Sequence, residues 1–504
     1  MIFQSQEAEM SMAEMSWEIR GVQVVLPDRL IPNGIIRTRG ERIVFVGEAD
    51  GAEDGAAAEN GVSGGDLPEE AWSADGASSS AEERPRVIDA RALGPDLVAI
   101  PGMIDLHVHG ADGADVMDGT PEALRMIARA LLREGTTAFC ATTMSASEER
   151  LVRALRNVAA SFDAAPASAA SAFSSQGGAQ ADGRAPEAIE QAGDRAPEAI
   201  EQAGDRAAEA GAALLGVHLE GPFLHPARAG AHPVEALRAP ALAAFRRLNE
   251  AAGGRIRLIT MAPELPGALE LIPELVREGV VVSVGHTDAD YETVVAAADR
   301  GARHITHVFN AMRPLHHRAP GALGAALVDD RLTVELIADG VHVHPALFRL
   351  VFRAKGTERV VLITDGIRAK GRPDGVYELG GREVTVRCGR ATLADGTLAG
   401  SVLRMNEALK HLVDAGIPLV EAVRAATLNP ARALGLDGER GALLPGRLAD
   451  VVLLDASFAV RMVWVRGRLA HIREEEAGKE AEKDGAAGKR RSLFVPLRSP
   501  LTER

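Results

Sequence analysis

Residues 100–110 read IPGMIDLHVHG, an apolar, strand-like run that ends in two histidines separated by one valine. Side chains alternate between the two faces of a β-strand, so His107 and His109 project from the same face. Two neutral imidazoles beside Asp105 are typical of half a metal site. The pair alone is weak evidence, because the chain has a second His-x-His sequence at residues 342–344.

The rest of the chain gives this stretch its context, because seven similar apolar runs follow it. The eight runs are LVAIPGMIDLHVH, TTAFCATT, ALLGVHLEG, RIRLITMAPE, VVVSVGHT, HITHVFNAM, TVELIADGVHV and RVVLITDG. They are mostly apolar on successive residues, as in strands that are covered on both faces. Helical patterns separate most of them, and one of these, ADYETVVAAADRG, has Asp288 just before it and Asp290 at its start as candidate N-caps. The alternation predicts an α/β fold, a (β/α)₈ TIM-like barrel, with a doubly wound open sheet as the alternative.

Strand-rich segments with turn residues flank the barrel sequence on both sides, at residues 19–47 and 447–470. We therefore predict a small β-sandwich domain built from both chain ends. The predicted division is 17–100 for its first part, 101–436 for the barrel and 437–472 for its second part. A charged, disordered tail is predicted over 473–504.

Two further segments interrupt this pattern and predict disordered insertions. Residues 47–86 are mostly Gly, Ala, Ser, Asp and Glu, with 11 Asp/Glu against 2 Arg. Residues 163–212 hold 9 Asp/Glu against 3 Arg and repeat the sequence RAPEAIEQAGD, which indicates an expanded surface loop. These two segments carry the whole net charge of −15, so the acidity says little about a substrate.

Several function classes are disfavoured by the composition. No apolar run reaches 18 residues, so no transmembrane helix is expected, and the first 20 residues lack the pattern of a secretory signal. The two cysteines, Cys140 and Cys388, exclude a disulfide framework and fit a reducing cytosol. We expect a cytoplasmic protein with a small-molecule substrate and neither a membrane nor a nucleic-acid partner.

The chemistry is expected at the C-terminal ends of the barrel strands, where barrel enzymes carry their catalytic groups. In chain order those ends present His107, His109, Glu220, His286, His307, His342 and Asp365. Imidazole and carboxylate ligands without thiolate suit a divalent Zn, Fe, Mn or Co ion. The candidates outnumber the ligands of one tetrahedral site, so a single ion and a two-metal centre bridged by Glu220 both remain open.

Seven segments together resemble the N-acetylglucosamine-6-phosphate deacetylase family of the amidohydrolase superfamily. They are IPGMIDLHVHG, HLEGPF, VGHT, THVFNAM, IADGVHVH, LITDGIRAKG and DGTLAGS. The resemblance covers roughly residues 20–46, 87–162 and 213–470, and HLEGPF with THVFNAM is its most specific part.

The resemblance implies a metal-dependent hydrolase that removes acetate from N-acetylglucosamine 6-phosphate in amino-sugar catabolism and recycling. Glu220, His286 and His307 match the metal ligands shared across the family, and His107 and His109 match an additional pair in its two-metal members. Asp365 matches the catalytic aspartate. The positions that match sugar- and phosphate-binding residues are Ala231, His232, Asn310, Ala311, Arg318 and His342, and those that match a lid over the acetyl group are Leu398, Ala399 and Gly400. Family members usually form homodimers in which the arginine and histidine for phosphate reach over from the neighbouring subunit.

The residue types agree with that chemistry. A metal can make water nucleophilic at neutral pH, and Asp365 beside it would take the proton and pass it to the departing amine. The metal and His232 would stabilise the oxyanion. The guanidinium of Arg318 suits a phosphate, because its donors match two oxygens at once.

Three rival hypotheses are weighed. A dihydroorotase-like or hydantoinase-like cyclic amidase would carry a bridging lysine after the fourth strand, but RIRLITMAPE has none. A deacetylase that acts on the galactosamine epimer is the second rival. No residue in the sequence distinguishes the two epimers, so this hypothesis stays open. A barrel that has lost catalysis would lack a ligand or the aspartate, whereas this chain keeps them all.

Overall fold

The computed structural model describes residues 15–49, 85–163 and 211–473. Nearly all of the predicted insertions and tail lie outside these residues, so the predictions of disorder are not addressed by the structure. The strands of the described residues are β1 (Ser16–Val25), β2 (Leu30–Arg39), β3 (Arg42–Glu48), β4 (Arg86–Asp89), β5 (Val98–Pro101), β6 (Met103–Val108), β7 (Gly110–Ala111), β8 (Ala114–Asp115), β9 (Thr136–Thr143), β10 (Ala213–Glu220), β11 (Ile256–Met261), β12 (Val281–Val284), β13 (His304–Ile305), β14 (Thr333–Ile337), β15 (Val360–Ile363), β16 (Gly375–Leu379), β17 (Arg382–Arg387), β18 (Arg390–Thr392), β19 (Val451–Leu454), β20 (Val460–Val465) and β21 (Arg468–Ile472).

The helices of the same residues lie mainly between the parallel strands. They are α1 (Pro121–Leu132), α2 (Glu148–Asp163), α3 (Leu242–Ala251), α4 (Ala268–Arg277), α5 (Tyr291–Asp299), α6 (Gly321–Val328), α7 (Phe348–Lys355), α8 (Met405–Asp414), α9 (Leu419–Ala426) and α10 (Leu428–Ala433). Within the described part of the chain, no helix has the length and apolar content that crossing a bilayer requires.

Eight parallel strands form the barrel wall in the order β6, β9, β10, β11, β12, β13, β14, β15. The wall closes beyond β15, where Gly366 bridges Val108 and the backbone N–H of Asp365 donates to the carbonyl of His107 over 2.9 Å. Spatial order that follows chain order, with closure, is the (β/α)₈ arrangement, whereas a doubly wound sheet reverses its order at a switch point. The predicted barrel is therefore confirmed.

The apolar runs became strands because they are covered on both faces. Every residue of β6, β9 and β15 is buried. Helix α1 begins with Thr120 as N-cap and Pro121 in the first turn, and it buries Leu124, Ile127 and Leu131. Each such side chain contributes about 1.5–3 kcal/mol when taken out of water. Burial of the apolar residues whose spacing predicted the helix therefore also stabilises the barrel.

One predicted cap is confirmed and its neighbour has another role. The Asp290 carboxylate accepts the backbone N–H of Thr293 over 2.9 Å and caps α5. Asp288 instead pairs with Arg228 and Arg313, at 2.7 and 2.8 Å. The sequence pattern alone does not distinguish the two candidate N-caps. The ion pairs of Asp288 with arginines distant in sequence explain why Asp290 is the cap.

The small domain is one curled sheet of eight strands drawn from both ends of the described chain. Its order is β21, β20, β19, β5, β1, β2, β3, with β4 also paired to β1. The rings of Trp17 and Trp464 lie 5.8 Å apart, although their strands are three steps apart, about 14 Å on a flat sheet. The sheet therefore folds over an apolar core, and the predicted β domain from both chain ends is confirmed.

Two details differ from the predicted pattern. The run from residue 97 to residue 109 divides at Gly102, because β5 joins the small sheet and only β6 enters the barrel. A three-stranded antiparallel sheet, β16–β18, follows the last barrel strand and was not predicted. The alternation in REVTVR, with only Val384 and Val386 buried, is the signal that indicates it.

Candidate functional site

The carboxyl ends of the barrel strands bring the predicted site residues together. Glu220 is the last residue of β10, and His286, His307 and Asp365 each follow their strand by two residues. These three have positive φ values of 48°, 28° and 50°. Residues other than glycine rarely adopt this backbone conformation because it costs free energy. Contacts with the surrounding fold must offset that cost, and the conformation directs the three side chains inward.

Glu220, His286 and His307 form the first cluster. Glu220 Oε1 lies 3.2 Å from His286 Nε2 and 3.3 Å from His307 Nε2, and the two imidazole nitrogens are 3.0 Å apart. Ligand atoms about 2.0–2.1 Å from a tetrahedral ion are separated by about 3.3 Å. The three atoms therefore already have the spacing of ligands around one cation.

The proton positions also fit an ion. His286 Nδ1 donates to the carbonyl oxygen of Arg228 over 2.8 Å, which leaves a lone pair on Nε2 of the neutral ring. That lone pair faces His307 Nε2 and a carboxylate oxygen. Such a concentration of acceptors is favourable only with a proton or a cation between them, so these residues fit a divalent metal.

His107, His109 and Asp365 form the second cluster, on the other side of Glu220. Asp365 Oδ1 lies 3.3 Å from His109 Nε2 and 3.5 Å from His107 Nε2. His107 Nε2 is buried and makes no hydrogen bond, although it lies 3.4 Å from Glu220 Oε1. This nitrogen would fit a second ion that takes the place of its proton, with Glu220 in the bridging position.

The charges of the buried imidazoles determine the state of the acids. Burial favours the neutral acids, but without a bound cation His107 is protonated, and its positive charge outweighs burial and lowers the pKa of both Glu220 and Asp365. Hydrogen bonding to His109 lowers both pKa values further. Both carboxylates are therefore ionised at neutral pH, as metal ligands and proton acceptors must be.

His232 lies beside the first cluster as a neutral donor. Burial lowers the pKa of His232 to about 4, against the opposing charge of Glu220. Its Nδ1 accepts the backbone N–H of Ser145 over 3.2 Å, so the single ring proton is on Nε2. That Nε2–H points to Glu220 Oε2 at 3.2 Å, towards the cavity.

A cavity of about 420 Å³ opens over both clusters. The predicted site residues among its lining are His109, Glu220, Ala231, His232, His286, His307, Asn310, Ala311, His342, Asp365, Leu398 and Gly400. His107 and Ala399 are buried behind this surface. Arg318 is exposed and does not line the cavity of its own chain, and its Nη1 lies 2.7 Å from His317 Nε2.

Two polar side chains of the lining are held by local contacts. Asn310 donates its amide to the carbonyls of His307 and Val308, which leaves its side-chain oxygen available. His342 Nδ1 lies 2.7 Å from Asp339 Oδ2. Burial opposes a charge on His342, but its hydrogen bond to Asp339 outweighs burial and raises the pKa of His342. An imidazole that faces the cavity with a raised pKa suits an anionic group.

Several residues near the site were not predicted from the sequence. Glu335 and His304 lie buried under the clusters, and Met144, Arg228, Leu379 and Thr397 line the cavity. A usable signal was present for one of them, since Glu335 is a charged residue inside the apolar run TVELI of β14. Charged residues are almost never fully buried unless they are paired.

Comparison with known proteins gives consistent results. The amidohydrolase family matches residues 188–470. An N-acetylglucosamine-6-phosphate deacetylase of Bacillus subtilis (strain 168) is 40% identical over 381 residues, 75% of this chain and 86% of the relative. An N-acetylgalactosamine-6-phosphate deacetylase of Escherichia coli O157:H7 is 38% identical over 371 residues, 73% of this chain and 87% of the relative.

Solved structures agree in fold. The N-acetyl-D-glucosamine-6-phosphate deacetylase of Mycobacterium smegmatis superposes with a TM-score of 0.70 at 31% identity, over 90% of this chain and 100% of that one. The N-acetylglucosamine-6-phosphate deacetylase of Thermotoga maritima gives a TM-score of 0.66 at 29% identity, over 90% and 100%. The chain therefore belongs to the amidohydrolase family and, within it, to the N-acetylglucosamine-6-phosphate deacetylase family.

Proposed function

We propose that the protein hydrolyses N-acetylglucosamine 6-phosphate to glucosamine 6-phosphate and acetate. One observation carries the proposal: Glu220, His286 and His307 converge with ligand spacing under a cavity that Asp365 also faces. The names of the similar proteins supply the substrate class. The activity places the protein in amino-sugar catabolism and recycling.

Glu220, His286 and His307 would hold one divalent ion, and His107 and His109 would hold a second, with Glu220 shared between them. Imidazole and carboxylate donors suit Zn, Fe, Mn or Co. Such an ion supplies Lewis acidity, which activates water and polarises the acetamide carbonyl. Asp365 lies within reach of the same space through its 3.3 Å contact with His109.

Asp365 has the state and position of the proton carrier. Its carboxylate is ionised and lines the cavity, so it takes a proton from the attacking water. The amine is a poor leaving group, and the same carboxyl then donates that proton to the amine nitrogen. His232 Nε2–H, fixed by Ser145, donates to the oxygen that becomes negative during attack.

The polar lining orients the sugar phosphate. Asn310 and the backbone of Ala311 would bind the sugar, while His342, with its raised pKa, would bind the phosphate. Residues 398–400 would cover the acetyl group. Arg318 lies outside its own cavity, so we propose that it serves the phosphate of a second subunit in a homodimer. The protein would work in the cytoplasm.

The test is acetate release from N-acetylglucosamine 6-phosphate and from the unphosphorylated sugar, with metal analysis of the same sample. We expect turnover of the phosphorylated sugar, a much lower kcat/KM without phosphate, and at least one divalent ion per chain. Turnover that persists after complete metal removal would contradict the proposal. Equal kcat/KM values for the phosphorylated and the unphosphorylated sugar would contradict it as well.

A second candidate differs only at C4 of the sugar. The Escherichia coli O157:H7 relative named for N-acetylgalactosamine 6-phosphate is almost as similar as the Bacillus subtilis one. Both sugar phosphates are therefore compared by kcat/KM under the same conditions, and the larger value assigns the substrate.

A further inference from the structure

Glu335 is a fully buried carboxylate beneath the site that none of the proposed roles uses. It lies in the middle of β14, with no exposed surface, among apolar neighbours on the same strand. An ionised carboxylate in such a place is costly unless it is paired and hydrogen-bonded. Its contacts therefore indicate what it does.

Those contacts converge on the ligand histidines. Glu335 Oε2 lies 3.1 Å from His107 Nδ1 and accepts the backbone N–H of His307 over 3.3 Å. Glu335 Oε1 lies 3.2 Å from Nε2 of His304, which is also buried. One carboxylate thus touches a ligand of each cluster and is held from below by His304.

The contact with His107 decides which nitrogen faces the site. A carboxylate can only accept here, so a proton stays on His107 Nδ1, and Nε2 is the nitrogen whose lone pair a cation would take in place of a proton. That Nε2 is the buried atom without a hydrogen bond, aimed at Glu220 and Asp365. A carboxylate behind a ligand histidine fixes the ring orientation and makes the ligand nitrogen more basic.

We infer that Glu335, supported by His304, is a positioning residue that builds the second metal position by orienting His107. The contact with His307 is to its backbone alone, so the Glu220–His286–His307 position depends on Glu335 much less. The inference rests on the metal-dependent hydrolysis proposed above, and it assigns the capacity for a second ion to a carboxylate 228 residues away in sequence from His107.

A neighbouring histidine provides the matched control. His218 is buried in the same layer, with its ring 4.5 Å from that of His107. Its two nitrogens are bonded elsewhere, Nδ1 at 3.1 Å from the carbonyl of Leu106 and Nε2 at 2.7 Å from Thr260 Oγ1. His218 therefore contributes packing next to His107 without a hydrogen bond to a ligand.

The experiment measures Zn²⁺ binding to the full-length apoprotein by competition with a chromophoric chelator, with the ion count checked by elemental analysis. We expect two ions in the wild type. In Glu335→Gln, which keeps the shape but removes the charge, the weaker ion should lose about 10–100-fold in affinity while the tighter ion is retained. His304→Gln should show the same selective loss, at the lower end of that range, and it tests the same carboxylate if Glu335→Gln fails to fold.

His218→Gln should keep the wild-type isotherm for both ions. The inference is overturned if Glu335→Gln or His304→Gln binds both ions like the wild type, if His218→Gln causes the same loss, or if the wild type takes up one ion only. A wild type that binds two ions but releases no acetate would instead contradict the proposed function and leave this inference standing.

Discussion

Lys370 Nζ lies 2.8 Å from Glu134 Oε2, and both side chains are buried next to the last barrel strand. Lys370 also donates to Thr364 Oγ1, whose hydroxyl donates to Asp105 Oδ2 over 2.5 Å. Asp105 in turn accepts the backbone N–H of His107 over 3.2 Å. The ion pair is therefore one end of a buried polar chain that reaches the candidate ligands.

Lys370→Met should destabilise the protein by about 3–5 kcal/mol, because it leaves the Glu134 carboxylate buried without its partner. The measurement is the free energy of unfolding in urea. Lys370→Met combined with Glu134→Leu should recover part of that loss, since the uncompensated charge is then removed. A loss below about 1 kcal/mol for the single variant would show that the pair is dispensable.

Asp365→Asn should lower kcat by about 10²–10⁴-fold, since an amide cannot take a proton from water. Metal content should stay measurable, because Glu220, His286 and His307 are unchanged. Steady-state kinetics and elemental analysis of the same preparation test both statements. Asp28→Asn, an exposed change of the same type in the small sheet, is the control, and wild-type rates in Asp365→Asn would remove Asp365 from the reaction.

Arg318→Ala should raise KM for the phosphorylated sugar by about 10–100-fold, the equivalent of one lost charge-assisted hydrogen bond. The unphosphorylated sugar should be affected little. The comparison is made with Arg349→Ala, which removes an exposed arginine elsewhere. An equal effect on both sugars would argue against a phosphate contact.

Lys355 predicts a pH dependence of stability remote from the site. Burial lowers the pKa of Lys355 from 10.5 to about 8, although its Nζ donates to the carbonyl of Asp329. Between these two pKa values the unfolded chain holds a proton that the folded chain has released, so the fold gains stability as pH rises. The Lys355→Met variant has no amine at this position, so its stability should not rise with pH through this group.

The check is urea unfolding of the wild type and of Lys355→Met at pH 7.5, 8.5 and 9.5. The wild-type free energy of unfolding should rise relative to that of the variant by on the order of 1–3 kcal/mol across this range. A constant difference would mean that Lys355 keeps its ordinary pKa in the fold.

Replacement of residues 50–84 and 164–210 by Gly/Ser linkers should leave kcat and KM within about twofold of the wild type. The described residues that line the cavity all belong to other parts of the chain. Linkers of about ten residues reach about 16–19 Å and give each junction freedom to adjust. Loss of turnover in a variant with normal circular dichroism and metal content would assign a function to one of these segments.

The sequence predicted the barrel and the clustering of its ligands for a common physical reason. Parallel strands that are buried on both faces appear as continuous apolar runs, and residues at their carboxyl ends must meet at one rim. The meeting of Glu220 with His286 and His307 follows from that rule without any knowledge of helix packing.

Other features depend on contacts that no local pattern encodes. Glu335 meets His107 only because closure of the barrel places β14 two strands from β6, with β15 between them. The position of Arg318 outside its own cavity depends on the path of the loop after β13. The positive φ values of His286 and Asp365 are imposed by the surrounding structure, since neither residue type requires them.

The curled sheet affects how the chain can be made. Strand β5 lies between β1 and β19, and β19 leaves the ribosome some 350 residues after β5. Until then the edge of β5 that faces away from β1 has no native partner, and an unpaired edge is a template for pairing with other chains. The segment that contains β5 therefore lacks its β19 neighbour while these residues are made, and the small sheet is completed only after the whole barrel sequence has been synthesised.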